Sequence, residues 1–237
     1  MNATELYQEG RLQDAIDTLG VELRSNPTDA QRRTFLFELL CFSGSYDRAE
    51  KQLDVLASGS QQAEMGVLLY RSALHATRLR EEQFNNGDAL LATTPNAKLS
   101  GRLNGEPFSM LTDADRRLGA RLEVFAAGQY MWLPFEHIES VRIDPPKRLR
   151  DMLWVPALVK TAPSFRGVEL GEVLLPVLTP FAWEDESDPV RLGKVTEWGK
   201  LDSGEVIPIG QKVIVADDRE YALLDIREIS IDSARAN

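Results

Sequence analysis

Residues that could perform acid/base or metal chemistry occur at two places in the sequence. His137, one of two histidines in the chain, lies between Glu136 and Glu139. Asp113 and Asp115 stand two positions apart in the segment "LTDADRRLG". A histidine with a nearby carboxylate could act as a general base, and paired carboxylates could help to bind Mg²⁺ or Ca²⁺. One hypothesis is therefore an acid/base or metal-dependent hydrolase that uses Asp113, Asp115, Glu136 and His137.

A simpler interpretation of these residues needs no chemistry. Sequence neighbours in a short turn point in different directions, so His137 is expected at the surface, where a strand begins. Asp113 is expected to cap a turn while Asp115 pairs with an arginine, because the further acidic positions of a Ca²⁺ loop are missing. The nucleophile motif G-x-S-x-G is absent, and "GRLNG" (101–105) lacks the spacing of a phosphate loop. The sequence therefore predicts no catalytic site, no metal site and no cofactor.

The charge balance argues against nucleic acid and membrane partners. The 237 residues include 27 basic and 37 acidic side chains, which gives a net charge of −10. Affinity for nucleic acid and for anionic membranes comes mainly from basic residues, and the chain has no basic domain or tail. No segment approaches the roughly 20 apolar residues of a membrane span, and the N-terminal residues do not resemble a signal peptide. We therefore expect a cytoplasmic protein, and its single cysteine, Cys41, excludes a disulfide within the chain.

The first part of the chain contains an internal repeat. The segments "EGRLQDAIDTL" (9–19) and "SGSYDRAEKQL" (43–53) align with an offset of 34 residues. The matched pairs are Gly10 with Gly44, Leu12 with Tyr46, Ala15 with Ala49 and Leu19 with Leu53. This period is typical of tetratricopeptide hairpins, in which the glycine closes a turn and the small alanine lets two helices approach. We expect Ala15 and Ala49 to be buried where helices cross.

A third helix of the same kind is predicted in "AEMGVLLYRSALHATRLREEQF" (63–84), where Arg78 stands in place of the repeat glycine. Terminal units of repeat stacks are often atypical, so we expect this unit to be degenerate. The polar stretch "NNGDALLATTPNAK" (85–98) then predicts a boundary near residue 95. It divides the chain into a tetratricopeptide-like helical domain, 1–95, and a β-rich domain, 96–237.

The β-rich part contains two similar segments. Each has a strand, a short turn, a strand that begins with Tyr130 or Tyr221, a one-turn kink and a final strand. The final strands share the pattern I-x-x-[V/I]-x-I, over 138–143 and 226–231. Alternating apolar residues between turn signals predict strands, and this order of elements is typical of SH3-like barrels. The predicted fold class is α+β: helical hairpins, then a β-rich, SH3-like, partly open barrel with a helical insertion whose N-cap is Asp188.

Two surfaces are candidates for binding a partner. In a tetratricopeptide stack the first helices of the hairpins line a concave groove, which can accept an amphipathic helix. The predicted groove residues are Gln31, Phe35, Glu38, Phe42, Leu68, Leu69, Ser72 and His75. The alternative is that several of them pack against the β-rich domain, which would move the site to a docking patch for an acidic partner. The residues of that patch are Trp132, Lys147, Arg148 and Arg150.

Longer strings of the β-rich part resemble a known family. They are "GRLNGEPFSMLTDADRRLGARLEVFAAGQYMWLPFEHI", "LRDMLWVPA", "GEVLLPVLTPFAW", "RLGKVTEW" and "LLDIREI". These strings resemble the ImpE family, the TagJ-type accessory proteins of bacterial type VI secretion systems. The resemblance implies a non-enzymatic protein that binds a helix near the N-terminus of the small subunit of the contractile sheath. The resemblance also implies an indirect link, through the sheath, to the AAA+ ATPase that recycles the sheath. The sequence leaves open whether the chain forms a homo-oligomer.

Overall fold

The computed structural model describes residues 1–59, 61–87, 99–167, 169–201 and 204–232. Its first part is helical, and each helix packs against the next one along the chain. The helices are α1 (Ala3–Gln8), α2 (Leu12–Ser25), α3 (Ala30–Phe42), α4 (Tyr46–Ala57) and α5 (Gln61–Asn85). The predicted domain boundary near residue 95 lies outside the described residues. No helix among the described residues is long and apolar enough to cross a membrane.

The repeat residues occupy the positions that the 34-residue offset predicts. Gly10 and Gly44 follow α1 and α3 with φ angles of +78° and +67°, in the left-handed region that favours glycine. Ala15 and Ala49 are both 0% exposed, which confirms their expected burial. The turn glycines and the buried alanines therefore hold successive helices together, while the tetratricopeptide class of these hairpins stays a prediction.

The second part of the chain consists mainly of antiparallel strands. They are β1 (Gly101–Leu103), β2 (Glu106–Phe108), β3 (Leu111–Asp113), β4 (Arg121–Ala126), β5 (Gln129–Pro134), β6 (Ile138–Ile143), β7 (Trp154–Thr161), β8 (Gly171–Pro176), β9 (Thr196–Lys200), β10 (Val206–Gly210), β11 (Val213–Ala216), β12 (Arg219–Ala222) and β13 (Glu228–Ile231). Eight of them form one sheet in the order β2-β1-β13-β6-β7-β8-β4-β5. β12, β11 and β3 form a second sheet, and β10 pairs with β9. The α+β class is confirmed, and the SH3-like barrel stays a prediction.

The two similar segments of the sequence have the same local structure. β5 leads through a 3₁₀ turn (Phe135–His137) into β6, and β12 leads through a 3₁₀ turn (Leu223–Asp225) into β13. β6 and β13 pair with each other, and Val141 lies opposite Ile229, which holds the same place in the other segment. The register of β6 and β13 is therefore symmetric about this pair.

The helices and the sheets share a hydrophobic core where they meet. The core of the helical part includes Phe125, Leu153, Trp154 and Leu192 from the β-rich part. The Trp154 indole N–H donates a hydrogen bond to the hydroxyl of Thr77 on α5, at 3.0 Å. α5 is therefore packed directly on the sheet, and the face that it buries there is not free to bind a partner.

The short helix α6 (Asp188–Arg191) corrects one detail of the sequence prediction. Asp188 is the first helical residue and not the N-cap, which is Ser187. The Asp188 carboxylate instead accepts the backbone N–H of Leu12 at 2.8 Å, at the start of α2. The side chain of Arg11, the N-cap of α2, accepts no hydrogen bond from the first turn of the helix, so Asp188 supplies this acceptor from the β-rich part.

Candidate partner-binding site

The two aspartates of the hydrolase hypothesis are both engaged in ion pairs. Asp113 Oδ2 lies 2.6 Å from Lys212 Nζ, and Asp113 Oδ1 accepts the backbone N–H of Asp115 at 2.9 Å. Asp115 in turn lies 2.6 Å from the Arg117 guanidinium. The expectation that Asp113 caps a turn while Asp115 pairs with an arginine is confirmed.

The histidine of that hypothesis has different partners. His137 lies in the 3₁₀ turn before β6, where its Nδ1 is 3.2 Å from the Ser164 hydroxyl and its Nε2 is 3.9 Å from Glu136. Asp113 therefore contacts Asp115, and His137 lies near Glu136. The partners of the two aspartates are Lys212 and Arg117, whereas the further partner of His137 is Ser164. In the part of the chain that the structure describes, no group of three or more His, Cys, Asp and Glu side chains could hold a metal ion.

A buried group of charges joins α5 to the sheets. The Arg80 guanidinium donates two hydrogen bonds to the Glu123 carboxylate, both at 2.7 Å, and these residues are 4% and 0% exposed. Lys212 Nζ lies 2.5 Å from Glu123 and 2.6 Å from Asp113. The Tyr130 hydroxyl donates a further hydrogen bond to Glu123, at 2.6 Å. Two cations therefore face two carboxylates, and we call these four charged residues the α5 anchor.

The surroundings of the two carboxylates in the anchor shift their pKa values in opposite directions. Burial raises the pKa of Asp113 to about 6. Burial also acts to raise the pKa of Glu123, but Arg80 and Lys212 outweigh it and hold that pKa well below its usual range. Sequence analysis missed this group. The signal was Glu123 in the segment "RLEVFA", because a charged residue in a strand whose neighbours are buried needs a partner.

A polar cleft lies beside α1 and α3 and holds the first half of the predicted groove. Its volume is about 840 Å³, and Gln31, Phe35 and Glu38 are among its lining residues. Much of the remaining lining is polar, including Thr4, Gln8, Glu22, Asp29 and Arg32. We call this the α1–α3 cleft.

A second, more apolar cleft lies between α5 and the large sheet and holds residues from the second half of the predicted groove. Its volume is about 370 Å³, and α5 contributes Leu69 and Ser72 to its lining. The sheet contributes Phe125, Trp154, Pro156, Val173 and Leu174, and Arg150 also lines the cleft. We call this the α5 cleft.

A 3₁₀ turn of the β-rich part, Leu149–Met152, divides the predicted groove. Leu149 lines the α1–α3 cleft, whereas Arg150 lines the α5 cleft. Glu38 accepts a hydrogen bond from the Tyr70 hydroxyl at 2.9 Å, and the Arg150 guanidinium lies 5.8 Å from the centre of the Tyr70 ring. Burial raises the pKa of Glu38 to about 7. The helical part therefore offers two clefts in place of one continuous groove.

The remaining groove residues differ widely in exposure. Phe42 is 0% exposed and contributes, with Trp183, to the lining of a small pocket, so it is not accessible to a partner, contrary to the prediction. Trp183 packs so closely on the turn after α3 that a Cβ atom at Gly44 would overlap its ring. By contrast, Leu68 and Leu69 on α5 are 64% and 65% exposed, and His75 is exposed as well.

The predicted docking patch is also divided. The Trp132 ring packs against Phe84 near the end of α5, with centroids 6.3 Å apart, whereas Arg150 lies over Tyr70. Tyr70 and Phe84 are 14 positions apart on α5, which corresponds to about 21 Å along a helix. Lys147 and Arg148 are exposed and adjoin Arg150 in sequence. Of these residues, Arg150 therefore lines the α5 cleft, Lys147 pairs with Asp144 at 3.0 Å, and Trp132 belongs to a different surface.

The chain therefore belongs to the class of α+β proteins in which helices pack on antiparallel sheets and share a hydrophobic core with them. The crystal structure of the protein VPA1032 from Vibrio parahaemolyticus has the same fold, with a TM-score of 0.86 over 98% of both chains. At 22% sequence identity, this likeness establishes the fold alone.

Sequence comparison identifies the family. The model of the ImpE protein family matches residues 105–230. The chain is also 35% identical to the type VI secretion system accessory component TagJ of Pseudomonas aeruginosa, over 269 aligned positions that cover 100% of this chain and 93% of TagJ. The chain therefore belongs to the ImpE family, which confirms the resemblance noted in its sequence.

Proposed function

We propose that this chain is a non-enzymatic accessory component of a bacterial type VI secretion system and acts in the cytoplasm by binding another protein of that system. The observation that carries the proposal is the 35% identity to the accessory component TagJ over the whole chain. Because the match spans the helical part and the β-rich part, it supports a shared role for the complete architecture.

The partner in this proposal is the small subunit of the contractile sheath, bound through a helix near its N-terminus. The sheath in turn links the protein indirectly to the AAA+ ATPase. An amphipathic helix binds by burying one apolar face, with anchors at i, i+3 and i+4, in a groove of its receptor. The accessible groove residues Gln31, Phe35, Leu69 and Ser72 line clefts that such a helix could enter.

The proposal also includes the finer architecture. The helical domain, 1–95, would be a stack of tetratricopeptide-like hairpins, which is supported by the 34-residue offset and by the positive φ angles of Gly10 and Gly44. The β-rich domain, 96–237, would be an SH3-like, partly open barrel, which is supported by the strand, 3₁₀ turn and strand that occur twice.

We propose no catalytic role for Asp113, Asp115, Glu136 or His137. A general base must lie within hydrogen-bond reach of the proton that it removes. Asp113 is instead buried against Lys212, and Asp115 is held by Arg117. These contacts favour a structural role for both carboxylates.

The test is a calorimetric titration of the full chain with the sheath small subunit of the same secretion system. The matched control is the same subunit without its N-terminal helix. We expect saturable binding of the complete subunit and none of the truncated one. Equal binding of both would move the contact away from the helix, and no binding of either would overturn the proposed function. Light scattering on the same samples would report whether the chain forms a homo-oligomer.

A further inference from the structure

The α1–α3 cleft contains a buried carboxylate that has no cation as its partner. Glu38 is 7% exposed, and it lines this cleft and not the α5 cleft. Its Oε1 accepts the hydrogen bond from Tyr70, whereas its Oε2 accepts none from the residues that the structure describes. A buried carboxylate is normally paired with a cation, because burial without one is costly. Glu38 can therefore still pair with a cationic group that enters the cleft.

The other charged residues of the cleft do not supply that cation. Arg32 is the one basic residue among the lining residues that the structure describes, and it lies 2.8 Å from Glu22 and 2.5 Å from Asp29. Its guanidinium is therefore engaged by two carboxylates of the same cleft. Three carboxylates, those of Glu22, Asp29 and Glu38, line the cleft with a single cation, and this imbalance favours a cationic occupant.

The cations around the cleft do not neutralise Glu38 either. In the described ranges of the chain no ion pair joins Arg148 or Arg150 to Glu38, and Arg150 instead lies 3.6 Å from Asp151. Burial raises the pKa of Glu38 to about 7 and outweighs Arg150 and Arg148, which act to lower it. Lys194 donates hydrogen bonds to two backbone carbonyls at the end of α1. The nearby positive charges therefore leave the Glu38 carboxylate without a direct partner.

The aromatic residues beside Glu38 indicate which cation would fit. Phe35 precedes Glu38 by three positions and lies one turn away on the same face of α3. Its ring meets the Tyr7 ring edge to face, with centroids 5.9 Å apart, and both residues are only partly buried. A guanidinium can lie on an aromatic ring while it pairs with a carboxylate, and it stays charged when buried, whereas a lysine ammonium readily loses its proton. An arginine side chain therefore fits this position better than a lysine side chain.

The polar lining of the cleft indicates that the arginine belongs to a protein segment. The cleft has a volume of about 840 Å³, and Thr4, Gln8 and Gln31 lie exposed along it. Among the described residues, these three side chains have no hydrogen-bond partner. Hydroxyl and amide groups both donate and accept hydrogen bonds, as a peptide backbone does. The cleft can therefore bind the backbone on either side of a recognised side chain.

We propose that the α1–α3 cleft is a recognition site for an arginine side chain of a protein partner, whose guanidinium pairs with Glu38 Oε2 and stacks on Phe35. Thr4, Gln8 and Gln31 hydrogen-bond the backbone of the segment that carries this arginine. The inference goes beyond the proposed function, because it assigns a site for one side chain and does not depend on which protein supplies it.

The first test titrates the full-length chain with the peptide acetyl-Ala-Ala-Arg-Ala-Ala-amide and follows the backbone amide signals by NMR. The matched control peptide carries citrulline in place of arginine, which keeps the shape of the side chain and removes its charge. We expect saturable shifts in the parts of α1 and α3 that line the cleft, and about tenfold weaker binding of the citrulline peptide, because its charge-assisted hydrogen bonds are lost. Equal binding of the two peptides, shifts confined to the α5 cleft, or no saturation by either peptide would overturn the proposal.

A second test changes the site. Glu38→Gln keeps the shape of the side chain and should weaken the arginine peptide about tenfold, while the citrulline peptide should bind within about twofold of its affinity for the parent. Phe35→Ala should weaken the arginine peptide about threefold, because the stacked ring is lost. The control Glu220→Gln, at an exposed position of β12, removes the same charge and should bind as the parent does. If Glu38→Gln binds the arginine peptide as tightly as the parent, Glu38 is not its partner.

The pH dependence of binding separates direct pairing from an indirect effect of Glu38. Because the pKa of Glu38 is about 7, only its ionised form, abundant at about pH 8 and scarce at about pH 6, can pair with the guanidinium. The arginine peptide should therefore bind the parent about tenfold more tightly at the higher pH and bind Glu38→Gln equally at both. Equal binding by the parent at both pH values would contradict the pairing. The other titratable or charged groups around Glu38 remain in both proteins, and they are Tyr7, Cys41, Tyr70, Arg148, Arg150 and Asp151.

These titrations and the titration with the sheath subunit can fail separately. If the parent binds the sheath subunit but does not distinguish the arginine peptide from the citrulline peptide, the proposed function stands and the arginine site is wrong. If the parent distinguishes the two peptides through Glu38 but does not bind the sheath subunit, the arginine site stands and the proposed function fails.

Discussion

The two ends of α5 are held by different kinds of contact, one with the β-rich part and one with α3. Towards its C-terminal end, Arg80 is 4% exposed and shares the fully buried Glu123 with Lys212. Closer to its N-terminal end, Tyr70 donates a single hydrogen bond to Glu38, a carboxylate for which no ion pair is found among the described residues. At one end the buried charges are paired with each other. At the other end the buried Glu38 carboxylate has a hydrogen bond from Tyr70 but, in the described part of the chain, no cation within ion-pair distance.

This difference shows how one helix can serve both stability and binding. The α5 anchor fixes the end that carries Arg80, because separating such buried charges from their partners is costly. Towards the other end, Val67 and Leu74 are 4% and 3% exposed and pack in the core, whereas Leu68 and Leu69 lie on the opposite, exposed side of the helix. The exposed surface is therefore available for a partner.

The anchor should account for the largest single loss of stability. Arg80→Ala leaves Glu123 buried with only Lys212 as its cation, and we expect a loss of about 3–5 kcal/mol in the free energy of unfolding. Urea unfolding followed by circular dichroism measures this loss. The matched control is Arg71→Ala on the same helix, where the arginine side chain is 42% exposed and pairs with Asp54. That variant should lose at most about 1 kcal/mol. Similar losses for both variants would show that the anchor has no special role.

Much of the fold could be predicted from local patterns in the sequence. The 34-residue offset predicted buried positions for Ala15 and Ala49, and the repeated pattern predicted two one-turn kinks, which the structure shows as 3₁₀ turns. These features depend on residues close together in the chain, where spacing alone carries the information. The family was predicted correctly as well, because long strings of the β-rich part carried the resemblance.

The site could be predicted only in part, because it depends on contacts between distant segments. The sequence placed Phe42 in an open groove, but Phe42 is fully buried and lines a small pocket together with Trp183, 141 positions further on. The sequence also treated the groove and Arg150 as alternatives, although they share a cleft. The α5 anchor was missed for the same reason, since Arg80 and Glu123 are 43 positions apart. A periodic pattern in the sequence contains no information about contacts between such distant segments.

The Glu38 carboxylate on α3, which accepts a hydrogen bond from Tyr70 of α5, should make stability depend on pH. The pKa of Glu38 is raised by burial from its ordinary value of 4.5 to about 7 in the folded protein. Between these values the folded state holds a proton that the unfolded state has released, so the contribution of Glu38 to stability falls as pH rises. The difference corresponds to a loss on the order of 3 kcal/mol, complete above about pH 7.

Comparison of the parent with Glu38→Gln isolates this contribution, because the amide cannot ionise. The other titratable or charged groups that influence Glu38 are Tyr70, Arg150, Asp151 and Arg148, and they remain in both proteins. We expect the parent to lose stability relative to Glu38→Gln between about pH 5 and pH 8, measured by urea unfolding. Glu220→Gln, at an exposed position of β12, should follow the parent at every pH. A constant difference between the parent and Glu38→Gln would mean that Glu38 is ionised throughout.

The smallest effect should come from the exposed surface of α5, and it separates binding from stability most directly. Leu69 and Leu74 lie five positions apart on the same helix, but they are 65% and 3% exposed. Leu69→Ala removes few buried contacts and should change the free energy of unfolding by no more than about 0.5 kcal/mol. Leu74→Ala leaves a cavity in the core and should cost about 2–5 kcal/mol. Urea unfolding of the two variants in the same buffer measures both values. If Leu69→Ala costs as much as Leu74→Ala, this end of α5 is as firmly packed as the anchor, and its leucines belong to the core and not to a docking surface.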